Sequence, residues 1–210
     1  MDLSAKTERA LDGRRLLSHP FYRRWEAGEL GAGELAAYGA QYEHFERQLP
    51  RTLQDVVDAC APGPARDAVE SSLADELGAP RPHVELLAGF LDAVGSVPTS
   101  ATPATGALVA LYDAAPDRGA AFAVGVIAGY ELQAAEVART KADGLRRFYG
   151  LTDAGTEFWD VHATMDEVHG AWMLDAASSL DADGVLAGVE ASSAAWWRFL
   201  DEREGAARGD

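Results

Sequence analysis

A chain of 210 residues with 48% apolar content is long enough to bury a full core as one domain and too apolar to be disordered. Its net charge of −16, from 34 acidic against 18 basic residues, argues against nucleic acid and anionic membrane surfaces as partners, because both need clustered Lys and Arg. The single Cys60 excludes an internal disulfide, the charged N-terminus lacks a secretory core, and no apolar run reaches spanning length, so the expected compartment is the cytoplasm.

Apolar residues recur at three- and four-residue spacing and rarely alternate, so the chain reads as all-α. The first helix is expected from Thr7 to Leu17, ended by Ser18-His19-Pro20, since a residue before proline avoids the helical region. FYRRWEAGEL reads as a short turn before a long helix from Gly33 to Ala59, kinked or interrupted at Pro50. Ala61-Pro62-Gly63-Pro64 breaks the chain, the next helix reaches Leu77, and Gly78 suits the position just past its end. A helix then starts near Pro82 and ends near Gly95, a loop covers 96–103, and a helix covers 104–114. Asp117 is placed as the cap of a long helix through Phe148, Asp153 opens one to Leu180, and Asp183 opens the last, to Glu202. The domain is therefore set at 1–204, with 205–210 a disordered tail. Long Ala-rich helices pack as a bundle, here of about seven to eight, with Trp196, Trp197 and Phe199 as core or dimer contacts.

Within this bundle the strongest local signal is His162-Ala-Thr-Met-Asp166-Glu-Val-His169. Positions i, i+4 and i+7 share one helical stripe, which continues to Met173 and so faces the interior. Two imidazoles and a carboxylate turned inward are costly unless compensated, and a divalent metal compensates them directly. A polar surface stripe or a buried hydrogen-bond network is the alternative reading. Glu76 and His83 are seven apart, but Gly78, Pro80 and Pro82 forbid an unbroken helix, so spacing alone does not pair them. Glu131 follows the apolar run Phe122–Tyr130, with Glu136 as a rival that spacing leaves open.

HPFYRRWEAGEL, LAAYGAQY and the acidic and histidine positions together make the chain resemble the TenA/PqqC-like group of haem-oxygenase-like helical proteins. Within it, the chain is most similar to di-iron oxidases with the pattern Glu-x6-His, a later Glu, and His-x3-Asp-x2-His. That resemblance implies metal ligation by Glu76, His83, Glu131 (inside YELQ, so not Glu136), His162, Asp166 and His169. It implies two metal ions, iron–iron or manganese–iron, with dioxygen as co-substrate, an external reductant and a homodimer. Glu43 or Glu46 is a candidate extra carboxylate, as in some relatives.

The nearest resemblance is to CADD-type p-aminobenzoate synthases, which supply folate biosynthesis. It implies that Tyr22 is consumed as the aromatic substrate, that Lys141 gives up its nitrogen, and that Tyr130 and Tyr42 relay electrons or hold the ring. Ten helical residues between Glu131 and Lys141 are about 15 Å of rise, so contact with a Glu131-bound metal requires a bend or a sideways approach. Phe158 stands where some of these proteins have a tyrosine. The alternatives are a di-iron oxidase acting on an external amino acid or fatty acid, a metal-free TenA/PqqC-like small-molecule-binding protein, and an interaction module.

Overall fold

Among the described residues, nine α-helices and two 3-10 turns account for the regular structure, and no strand occurs. The computed structural model describes residues 2–78 and 81–208, with the side chains of all of these except 165–171 and 207–208. The helices are α1 (Leu3–Asp12), α2 (Pro20–Ala27), α3 (Ala32–Ala59), α4 (Pro64–Leu77), α5 (His83–Ala93), α6 (Pro103–Ala114), α7 (Ala120–Tyr149), α8 (Asp153–Ala177) and α9 (Ala182–Arg208). The 3-10 turns are Leu16–Ser18 and Pro116–Arg118.

The all-α expectation holds, and the differences have local causes. The segment read as a turn is helix α2: Pro20 sits in its first turn, His19 Nδ1 accepts the Phe21 N–H at 3.1 Å, and Gly28 ends it at φ 72. So short a helix persists because Phe21, Tyr22 and Trp25 are all buried. The first helix stops at Asp12, before Gly13, and a 3-10 turn replaces its expected last residues. Pro50 lies inside an unbroken α3, and its ring nitrogen has no hydrogen to give the carbonyl of Glu46, four residues back. Asp117 belongs to the 3-10 turn, and Gly119, at φ 95, separates it from α7. The last helix runs on through Arg208, past the expected end near Glu202.

Helix α7 forms the centre, packed most extensively against α8 and α9. By length and composition it is apolar enough to cross a membrane, but 61% of its most apolar window is buried inside the fold, as suits a core helix. Close approach of α7 and α9 depends on glycine. A Cβ at Gly188 would lie 2.2 Å from the Phe122 carbonyl oxygen, and one at Gly125 would lie 2.1 Å from that of Val185. Helix α2 is fastened across the bundle by Arg24, which reaches Glu34 on α3 at 2.8 Å and Glu204 on α9 at 3.2 Å. Trp25 adds a link to α7 by donating its indole N–H to the Lys141 carbonyl at 3.3 Å.

Candidate metal centre and lysine cage

Glu76 lies one residue before the end of α4 and His83 is the first residue of α5. The chain turns between them and points both side chains at one spot: Glu76 Oε1 is 3.0 Å from His83 Nδ1 and 3.8 Å from His162 Nε2. The two imidazole rings lie 4.4 Å apart, centre to centre. His162 Nδ1 is 2.8 Å from the Phe158 carbonyl, to which it donates, so Nε2 is the ring nitrogen turned to the cluster. Helix α3 completes the group with Glu46. Glu46, Glu76, His83 and His162 each offer one atom, all within 4.8 Å of one another.

Of the two carboxylates raised for α3, Glu46 is therefore the one that joins the cluster, while Glu43 turns away to pair with Arg47 at 2.6 Å. Glu131 on α7 borders the same cluster through Glu76, whereas Glu136 is exposed. Asp166 and His169 fall within α8 among side chains outside the described residues.

The donor set fits a divalent metal. Glu76 Oε2, Glu131 Oε2 and His83 Nε2 are buried without a hydrogen-bond partner among the described residues. Each such atom costs about 1–3 kcal/mol if nothing satisfies it. Neutral imidazole nitrogens with carboxylate oxygens suit iron or manganese. The carboxylates are driven in opposite directions. Burial pushes Glu131 upward and the neighbouring Glu76 charge adds to it, against a hydrogen bond from Ser72. Burial works to raise Glu76 too, but the imidazoles of His162 and His83 outweigh it and hold Glu76 well below the usual carboxylate range.

Beside this cluster lies a fully buried lysine. Lys141 is 1% exposed, and its amine donates to Tyr38 Oη at 2.7 Å, the one hydrogen bond it makes among the described residues. Tyr38 and Tyr22 share a hydrogen bond of 2.9 Å, so lysine nitrogen and Tyr22 phenol are joined through one hydroxyl. Aromatic rings enclose the amine: Nζ is 3.9 Å from the ring centre of Trp159, 4.8 Å from Tyr42, 5.0 Å from Tyr38 and 5.1 Å from Tyr22. Burial pushes the amine well below its ordinary 10.5, against the pull of Glu46, and pushes the phenols of Tyr22, Tyr38 and Tyr42 upward. Helix α7 runs uninterrupted from Glu131 to Lys141, and the lysine addresses the phenols of α2 and α3.

Tyr42 connects the two halves. Its hydroxyl is 2.9 Å from that of Tyr130, its ring stacks 5.7 Å from Tyr38, and its ring centre is 6.0 Å from Phe158, which lies 4.2 Å from His162. Tyr38 and Trp159 are the participants that the sequence reading missed. For Tyr38 a signal existed: Tyr38, Tyr42 and Glu46 stand at i, i+4 and i+8, one inward stripe of α3. For Trp159 no sequence signal distinguishes it from ordinary core.

Residues 36–200 match the family model described as "Iron-containing redox enzyme". The 4-aminobenzoate synthase of Nitrosomonas europaea is 30% identical over 91% of this chain and 86% of that protein, and the 4-aminobenzoate synthase of Chlamydia pneumoniae is 25% identical over 92% and 91%. A TenA homologue from Pseudomonas syringae pv. tomato superposes with a TM-score of 0.83 at 13% identity, over 96% of this chain and 92% of that one, and establishes the haem-oxygenase-like fold alone. With the match covering most of the chain, this protein belongs to the haem-oxygenase-like family of iron-containing redox enzymes.

Proposed function

We propose that the protein is a non-haem di-iron oxidase that makes 4-aminobenzoate from its own Tyr22, with Lys141 as the source of nitrogen. The observation that carries the reading is the chain from Lys141 Nζ through Tyr38 Oη to Tyr22 Oη, at 2.7 and 2.9 Å, buried beside the Glu46–Glu76–His83–His162 cluster. Similarity to the two 4-aminobenzoate synthases supports it.

The atoms of the product are all at hand. The ring and Cβ of a tyrosine supply its carbons once the Cα–Cβ bond breaks and Cβ is oxidised to carboxylate. Nitrogen replaces the phenol oxygen, which leaves as water when the amine condenses with the oxidised ring, and hydrolysis of the rearranged imine breaks the Cε–Nζ bond and leaves Cε of Lys141 as an aldehyde. Dioxygen with an external reductant is the oxidant. Glu46, Glu76, Glu131, His83 and His162, with Asp166 and His169 on the same helix as His162, would hold the two metals, and manganese in place of one iron suits the same donors. Bound there, the metals supply dioxygen activation.

The protein's own residues do the rest. Tyr38 orients the Tyr22 phenol and the lysine amine toward each other. Burial works against protonation of the amine and so favours its nucleophilic form. Tyr42 and Tyr130, hydrogen-bonded to each other and in ring contact with Tyr38 and Trp196, offer oxidisable phenols between cluster and substrate. The enclosing rings exclude water from the reacting groups. Each chain would react once. The reading includes a cytoplasmic homodimer.

Intact-mass and peptide analysis after exposure to ferrous iron, a reductant and oxygen tests this. The expected result is loss of side-chain mass at Tyr22, a nitrogen deficit at Lys141, and 4-aminobenzoate released at up to one per chain. An unchanged chain that turns over an added amino acid or fatty acid would overturn it.

A further inference from the structure

We infer that Trp159 is a positioning residue that fixes the Lys141 amine for nitrogen transfer, which rests on the reading of Lys141 as nitrogen source. Of the rings around Nζ, Trp159 is closest, at 3.9 Å against 4.8 Å for Tyr42 and 6.0 Å for Trp25. It is 1% exposed and is itself held on two sides by edge contacts, with Phe158 at 4.6 Å and Phe90 at 5.3 Å.

Its indole N–H marks it out. Trp25 donates to the Lys141 carbonyl and Trp196 donates to Tyr112 Oη at 3.0 Å, but the buried Nε1 of Trp159 has no partner among the described residues. A buried donor left unsatisfied is a local cost, and phenylalanine, as at the neighbouring Phe158, fills core space without it. What the indole offers that phenylalanine does not is a broader and more electron-rich face, which accepts an N–H of the amine in an N–H···π contact. That face lies against Nζ.

The consequence is directional. Within the cage Glu46, a member of the metal cluster, favours the charged form of the amine. Tyr38 Oη draws the nitrogen toward Tyr22. Trp159, three residues before His162 on α8, reaches from the cluster helix to the lysine and backs Nζ while Tyr38 holds it by hydrogen bond. Removing the indole leaves Tyr38 as the one contact directing the nitrogen, so oxidation of Tyr22 and transfer of nitrogen come apart.

Trp159→Phe and Trp159→Leu, prepared with 15N-lysine and loaded with iron, test this. Only Lys6 and Lys141 carry the label. The quantity read is labelled 4-aminobenzoate per Tyr22 consumed, which a general loss of stability does not move. The ratio is expected to fall two- to fivefold in Trp159→Phe and at least tenfold in Trp159→Leu, while iron content and Tyr22 loss persist. Ratios equal to the wild type in the variants that fold overturn the inference, and Trp159→Phe alone decides if Trp159→Leu does not fold. A wild-type protein that consumes no Tyr22, or forms product without label, overturns the underlying reading and this inference with it.

Discussion

A lysine amine removed from water loses solvation that one phenol restores only in part, and Lys141 has Tyr38 alone as its hydrogen-bond partner among the described residues. Its pKa in the fold lies well below 10.5, so between those values the unfolded chain binds the extra proton. Stability therefore rises with pH through that window and is lost as pH falls from 10.5. Lys141→Met should raise the thermal midpoint at pH 7, and the gain should shrink as pH approaches 10.5; a gain that grows with pH would contradict the sign. The same substitution should abolish nitrogen transfer. His19 behaves alike at lower pH: burial depresses its pKa below 6.5, against its contacts with Asp201 and Glu204. Protonation would also remove the Nδ1 lone pair that caps α2. Stability from His19 is complete above pH 6.5 and declines as pH falls below it, and His19→Asn, which can still cap α2, should flatten that part of a denaturation profile.

Between elements, the fold depends on how closely α7 and α9 pack. Gly188→Ala places a methyl group against the Phe122 carbonyl, backbone that cannot rotate away, and should cost about 1–3 kcal/mol or more in urea denaturation. A change below 0.5 kcal/mol would mean that the helices separate freely. The sequence made the helices legible through their periodicity, but α2 has too few turns to show one, and its burial comes from contacts across the bundle. Pro50 does not interrupt α3 for a related reason: a proline removes one hydrogen bond, and packing of Leu53, Val56 and Val57 beyond it holds the helix together. Glu76 and His83 were beyond any spacing rule, since two helices and a turn bring them together. Only the family resemblance pointed to that pair. Glu46 was legible as a candidate beside Glu43, and burial separated them. Nothing in the identity of Trp159 announced a role, because aromatic side chains fill cores everywhere.

At the scale of the molecule, helices α3, α4, α5, α7 and α8 each bring a donor to, or beside, one buried cluster, so metal binding and folding are linked. A metal that binds only the folded chain adds stability by mass action, about 4 kcal/mol at a thousandfold excess over its Kd. Ferrous iron added without oxygen should raise the thermal midpoint, and a chelator should reverse the rise. The net charge of −16 complicates such a titration, because exposed carboxylates also attract divalent cations weakly. Stoichiometry after desalting is more direct. Elemental analysis of anaerobically reconstituted protein should give close to two metal ions per chain, with Glu76→Ala and His162→Ala each retaining less than half of that while still folded. Wild-type protein that keeps no more metal than these variants would contradict the account.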